Sequence, residues 1–354
     1  MADTISPSNI ATLSELLTLS GSQYRIYDIG RLVTKLPKEQ FEKVELNQIA
    51  YPMPFQGHAC FAIAFWQKIT NQPFLWLLKL PLDERGLVNQ GARNHFIAII
   101  VEALGADLTQ ETNKKQQQLL NSNPYLFTPA QYKLASLNSK VKVDLKRPPS
   151  KYFNDFLSYL TNVNSQAQQW QHVGVQGITD FIAVIHKNNH SKLLVDALPL
   201  LPPEVLSPIC SALENERYSV TLIDALLGLM AKPLNFEQEN EVGLAKNLML
   251  LRALAANSNH PHVIQQISQL LDYPKLNEQF LITLSGRCWQ GLADEKRLMI
   301  FIEALLRNNN LALFRSVFSD LVSIPLIRPK ALACIRSEHR SPALAKAIGQ
   351  LFQK

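Results

Sequence analysis

Cysteine is scarce. Cys60, Cys210, Cys288 and Cys334 are the four thiols of a 354-residue chain, each inside an apolar run and far from the next. That scatter argues against a disulfide framework or a zinc motif and for buried, reduced thiols. Long hydrophobic runs are missing too: none approaches the ~20 residues of a membrane span. Met1-Ala2-Asp3-Thr4 has no basic region leading into an apolar one, so no signal peptide is expected. Nor does charge of one sign dominate. Net charge is +6, with 16 basic against 12 acidic residues through Ser150 and 19 against 17 after it. Neither half forces a nucleic-acid partner, although a pI near 9.0 leaves one open. No catalytic signature, metal-ligand set or cofactor motif stands out. The expectation is a soluble cytoplasmic protein with no metal, cofactor or membrane contact.

What is there is ordinary folded composition, 47% apolar and 18% charged, at a length that favours two domains. The centre of the first domain is Pro54 to Val88. Two apolar runs, Ala59 to Trp66 and Phe74 to Leu80, flank a polar Gln67–Asn71 gap and read as paired strands of a covered sheet. Ala59, Ala62 and Ala64 leave a buried helix as the alternative for the first run.

Upstream, Ser6 or Ser8 caps a helix with Pro7 in its first turn and Ile10, Leu13, Leu16, Leu17 and Leu19 on one face. Tyr24–Asp28 and Leu32–Leu36 alternate as strands about an Asp28-Ile29-Gly30-Arg31 turn, with Gly30 at positive φ. Pro37–Glu45 reads as a short surface helix, and Asn89–Leu104 as a helix closed by Gly105. Thr109–Tyr132 suggests a helix and a turn at Asn123-Pro124-Tyr125, and Ala130–Leu137 another short helix.

Residues 140–151, a charge run with Pro148-Pro149, read as a basic linker. Beyond it, apolar-periodic segments of ~10–15 residues recur, separated by breaks such as Leu201-Pro202-Pro203, Ala231-Lys232-Pro233 and Asn308-Asn309-Asn310. The expected organisation is an α+β domain over 1–139, a small antiparallel sheet with helices. The linker leads to an all-α, HEAT-like helical array over 152–354, with no strict repeat length.

Tyr24-Arg25-Ile26-Tyr27-Asp28-Ile29-Gly30-Arg31, Tyr51-Pro52-Met53-Pro54-Phe55-Gln56 and Phe74-Leu75-Trp76-Leu77-Leu78-Lys79-Leu80-Pro81-Leu82-Asp83-Glu84 resemble an uncharacterised gammaproteobacterial family known only as a domain of unknown function. That family has roughly this whole length. The resemblance implies a bacterial cytosolic protein and brings no activity, cofactor or catalytic residue with it.

Two patches carry candidate chemistry. Asp83 and Glu84 leave a central strand, where adjacent carboxylates bind Mg²⁺ or serve as acid and base; Arg31 and His58 are their candidate companions. A turn that caps the helix after Asn89 explains them more cheaply. Lys140, Lys142, Lys146, Arg147 and Lys151, with Tyr152 and Phe153 alongside, have the ingredients of nucleic-acid binding: lysines for phosphate and aromatics for bases. A solvated hinge is the plain alternative. Arg328, Lys330, Arg336, His339, Arg340 and Lys346 make a looser basic group.

Weaker motifs have structural explanations. His186 and His190 stand at i, i+4 as zinc ligands do, but without further ligands; a helix terminus accounts for them. His260-Pro261-His262 fits a helix start. Gly174-Val175-Gln176-Gly177 resembles a backbone-clamping loop and fits a turn before the Ile178 helix. Cys288, beside Arg287, reads as packing on a Leu276–Trp289 helix rather than as a nucleophile.

With no catalytic motif, the leading expectation is a non-catalytic adaptor that docks a protein partner along the array. The alternatives are a nucleic-acid-associated factor using the basic residues and an enzyme centred on Asp83 and Glu84.

Overall fold

The computed structural model describes residues 10–67, 73–105, 107–109, 112–230 and 241–351. Ser6, Pro7 and Ser8, residues 68–71 of the polar gap, and the 231–233 break lie outside the described residues.

The apolar runs of the first unit form strands. β1 (Gln23–Asp28), β2 (Thr34–Leu36), β3 (His58–Trp66) and β4 (Phe74–Pro81) make one antiparallel sheet in the order β2-β1-β3-β4. Register is set by apolar pairs: Ile26 faces Leu36 on one side and Ile63 on the other, and Phe61 faces Leu78. The three alanines of β3 do not make it helical. Every residue of β3 after His58 is buried, and a central strand bonded on both sides and covered on both faces takes small side chains readily, whatever their helix propensity.

Ala59, Phe61, Ile63 and Phe65 turn one face of β3 to a core shared with α1 (Leu13–Leu19), α2 (Lys38–Glu45) and α3 (Gln90–Leu104). Edge-to-face rings tie the layers, Phe41 to Phe61 at 5.1 Å and Trp76 to Phe96 at 5.5 Å. α3 begins as its sequence announces, with Asn89 Oδ1 accepting from the Ala92 amide at 2.9 Å, and ends at Gly105 at φ 61°. Leu19 does not join the apolar face of α1; it is 55% exposed.

Gly30 is also placed differently from expectation. Its backbone is not left-handed; a Cβ there would come within 3.0 Å of Phe55 Cβ and 3.3 Å of Cys60 Cβ. Close approach of the 53–60 segment, and not turn conformation, requires glycine.

The compact units divide between Pro129 and Ala130. α4 (Lys114–Asn121) completes the first. The second contains α5 (Gln131–Asp144), α6 (Tyr152–Thr161), α7 (Val163–Gln166), α8 (Val175–Ile182), α9 (His190–Ala197), α10 (Pro203–Leu213), α11 (Val220–Leu229), α12 (Glu241–Ala253), α13 (Pro261–Leu271), α14 (Glu278–Gly286), α15 (Glu295–Arg307), α16 (Leu311–Ser323), α17 (Arg328–Arg336) and α18 (Pro342–Leu351). Helices α8, α10, α12 and α14 pack each on the next, as do α9, α11, α13, α15 and α17. The second unit is a helical array, preceded by an α+β unit.

Several elements differ from expectation. α5 extends through Asp144, so residues 140–144 of the expected linker are its last turn; its buried residues include Lys133, Ser136 and Ser139, which blur the apolar stripe. α14 ends at Gly286, leaving Cys288 in the following turn, still fully buried. α17 passed unrecognised because only Ala331 and Cys334 of its nine residues are buried.

Candidate functional site

The last turn of α5 is where the basic run becomes a site. Lys142, in that turn, and Lys146, just beyond it, line the same cleft. Beyond Leu145 the backbone closes on itself: the Lys146 amide donates to Val143 O at 3.1 Å and the Arg147 amide to Lys142 O at 2.8 Å. Lys146 takes φ 54°, the left-handed position usual after a helix end. Pro148 and Pro149 then prevent any continuation. The chain turns into α6 and comes back past the α8–α9 connection, where Asn188 is also left-handed, at φ 50°.

Between these segments lies a cleft of about 430 Å³ whose lining includes Lys142, Lys146, Arg147, Lys187, Phe153 and His190. Among the described residues, Lys146, Arg147 and Lys187 form no ion pair. Phe153 is half-buried, its ring 6.2 Å from Phe181 and 5.9 Å from His190. His190 Nδ1 lies 3.2 Å from Val184 O; a carbonyl only accepts, so this nitrogen carries the proton.

Asp180, 3% exposed, forms the floor. Its Oδ1 accepts from Ser139 Oγ at 2.6 Å and Gln176 Nε2 at 2.9 Å, and its Oδ2 from the Ser150 amide at 2.6 Å. Lys142 Nζ stands 3.4 Å away. Burial by itself raises the carboxyl; the hydrogen bonds from Ser139, Ser150 and Gln176 together outweigh it and hold Asp180 below the usual carboxylate range. Asp180 thus anchors the segment after α5 to α8. Four cations against this one saturated carboxylate leave a formal surplus of three positive charges.

The structure gathers three of the five basic candidates and leaves out two. Lys140 turns to Glu216, with Nζ 2.5 Å from Oε1, and donates to Asn215 O at 3.0 Å. Lys151 lies over the exposed Tyr152 ring, 5.1 Å from its centroid. Lys187, His190 and Asp180 were not in the sequence-based set. The one signal for Lys187 and His190 was the polar His186–His190 stretch, which follows α8.

The Asp83 patch is arranged otherwise. Asp83 Oδ1 accepts from the Arg85 and Leu87 amides at 2.9 and 2.8 Å, and its Oδ2 pairs with Arg85 Nη2 at 2.9 Å. Bonds from Leu87 lead in lowering the carboxyl, against a smaller desolvation effect. These are the bonds of a turn. Glu84 is exposed, and His58 Nδ1 contacts Gln56 O at 2.7 Å. His58 pairs with Pro81 across the sheet and so lies near this turn. Arg31 is 1% exposed, with Nε donating to Pro54 O at 2.8 Å. Close to it in sequence is a buried polar node that sequence reading missed. Asp28 Oδ2 accepts from Tyr51 Oη at 2.5 Å and Oδ1 from the Gly30 amide at 3.2 Å, while Asp28 and Tyr51 are both fully buried. Burial, then the neighbouring carboxylate, pushes the Tyr51 phenol well up.

The remaining motifs resolve structurally. His186 lies in the turn after α8 and His190 opens α9, so the pair shares no helical face. No group of three or more His, Cys, Asp or Glu suited to a metal occurs among the described residues. His260 caps α13 and His262 Nδ1 meets Asp224 at 2.6 Å. Gly174 is the N-cap of α8, and a Cβ on Gly177 would stand 2.2 Å from Tyr152 O. All four thiols are buried; burial pushes Cys210 and Cys288 up to about 12 and Cys334 to about 11, which leaves them unreactive at neutral pH. Near the C-terminus Arg328, Lys330 and Arg340 donate to the carbonyls of Val322, Leu326 and Ile335, tying off local helix ends. A second network missed by sequence reading joins Arg252 to buried Glu214 in a bidentate pair beneath Tyr132, whose hydroxyl also meets Arg287 at 3.2 Å.

A family model described as a protein of unknown function, DUF3549, matches residues 8–352. The chain belongs to the DUF3549 family. No curated protein and no solved structure matches it. For this DUF3549 chain, then, the argument about function rests on the cleft and its chemistry. No helix of the described residues is long and apolar enough to cross a membrane.

Proposed function

We propose that this is a non-catalytic binding protein of the bacterial cytoplasm that holds phosphate groups of single-stranded nucleic acid in the cleft between the end of α5 and the α8–α9 connection. The observation that carries this is the convergence of Lys142, Lys146, Arg147 and Lys187 around a half-buried phenylalanine, with the only lining carboxylate already saturated. A surplus of cations beside an aromatic wall is what phosphate and base recognition use. The buried thiols support the reducing compartment.

Docking of a protein partner along the array has less support. Among the described residues, no array helix exposes more than one large apolar side chain: Val175, Val220, Val242, Ile282 and Ile300 each come from a different helix. A scattered set is ordinary surface. An enzyme centred on Asp83 and Glu84 has least, because Asp83 spends its oxygens on its own turn.

The test is binding of the full chain to labelled single-stranded RNA and DNA across a salt series. Phosphate charge neutralised by these cations makes affinity fall linearly on a log–log plot against salt. Charge-neutral variants Lys146→Gln, Arg147→Gln and Lys187→Gln should flatten it. Absence of binding at low salt would end this reading.

A further inference from the structure

The cleft differs from the grooves that track a nucleic-acid backbone. A backbone-tracking groove is open at both ends and spaces its cations along its length. Here the cations converge from two walls on one recess: Lys142, Lys146 and Arg147 from the end of α5, Lys187 from the α8–α9 connection. Asp180, Ser139 and His190 are buried residues that also line it. At about 430 Å³ it falls in the range of sites for one small molecule, ~300–1,000 Å³, and short of several nucleotides.

Charge points the same way. The formal surplus of three suits a phosphomonoester, which carries close to two negative charges at neutral pH, better than an internal diester, which carries one. Phe153 lies in the same lining, with its ring already supported by Phe181 and His190, so a base can stack on it without first ordering the side chain.

We propose that the cleft takes the terminal nucleotide of a single strand, its phosphomonoester between Lys142, Lys146, Arg147 and Lys187 and its base against Phe153. This rests on the nucleic-acid reading above and specifies which part of the strand is held.

The experiment compares four forms of one short oligonucleotide against the full chain: 5′-phosphorylated, 3′-phosphorylated, unphosphorylated and circular. Anisotropy at fixed low salt gives each affinity. One phosphorylated linear form is expected to bind at least ~10-fold more tightly than the unphosphorylated and circular forms, about 1.4 kcal/mol. Arg147→Gln and Lys187→Gln should erase that preference while leaving the melting curve in place, since neither side chain is ion-paired among the described residues. Phe153→Leu should weaken every linear form and keep the preference.

Equal affinity for the circle and the phosphorylated strand overturns the terminal assignment and leaves nucleic-acid binding standing. No binding of any form overturns both. A phosphoserine peptide that binds as tightly as the phosphorylated strand overturns the nucleotide part and keeps the monoester site.

Discussion

Asp28 in the sheet and Asp180 in the array are both buried aspartates that hold the chain segment after a secondary-structure element. Asp28 does so in a sealed setting, with Tyr51, Gly30 and the 51–55 segment closing around it. Asp180 performs the same anchoring, fastening Ser150 to α8, but lies at the foot of a cleft with cations around the rim. A saturated buried carboxylate is therefore no sign of function by itself. What distinguishes the second region is the surplus of unpaired charge beside it.

The comparison can be broken most forcefully at Asp180. Asp180→Ala takes the acceptor of the Ser150 amide and the shortest bonds of Ser139 and Gln176, and should cost about 3 kcal/mol by denaturant unfolding, with loss of ligand binding as the α5–α6 segment loosens. If binding survives at full strength, Asp180 does not hold the cleft together. Tyr51→Phe removes one short bond to Asp28, with an expected cost of about 1–2 kcal/mol and no change in binding. An effect on binding would mean that the sealed node also reaches the site.

Acid sharpens the same contrast. The folded pKa of Asp180 is depressed, so its stabilisation is fully present above the ordinary aspartate value near ~4 and is lost as pH falls through the lower folded value. Against wild type, Asp180→Asn should show less loss of stability on acidification below that point, measured by chemical unfolding at stepped pH. The smallest effects are expected at Asp83→Ala, with a melting shift below that of Tyr51→Phe because the turn is exposed, and at Lys187→Gln, with none. A large loss of stability at Asp83 would make that turn a structural keystone.

Much of this was legible in the sequence. The four strands and α3 with both its caps follow from apolar runs, Asn and Gly at their usual places. The rest was hidden for identifiable reasons. α5 buries Lys133, Ser136 and Ser139, so its inner face does not look apolar, and its last turn read as a charged linker. Gly30 is glycine because of residues 25 and 30 positions away, Phe55 and Cys60. For the site, local sequence offered Lys142, Lys146 and Arg147. Lys187 and Asp180 come to them only through the packing of α5 and α6 on α8, and no local pattern encodes that meeting.

Lys146 has a further consequence. A non-glycine residue in the left-handed region carries about 1 kcal/mol of conformational cost, and the position just past a helix end is where glycine is favoured. Lys146→Gly should therefore raise the melting temperature while removing one of the four cations. Heat tolerance and ligand affinity pull in opposite directions at this residue. A laboratory selection for thermostability alone would drift toward a sturdier chain with a poorer cleft, and a variant recovered from such a selection with glycine at 146 would report, by what it had lost, what the lysine is for.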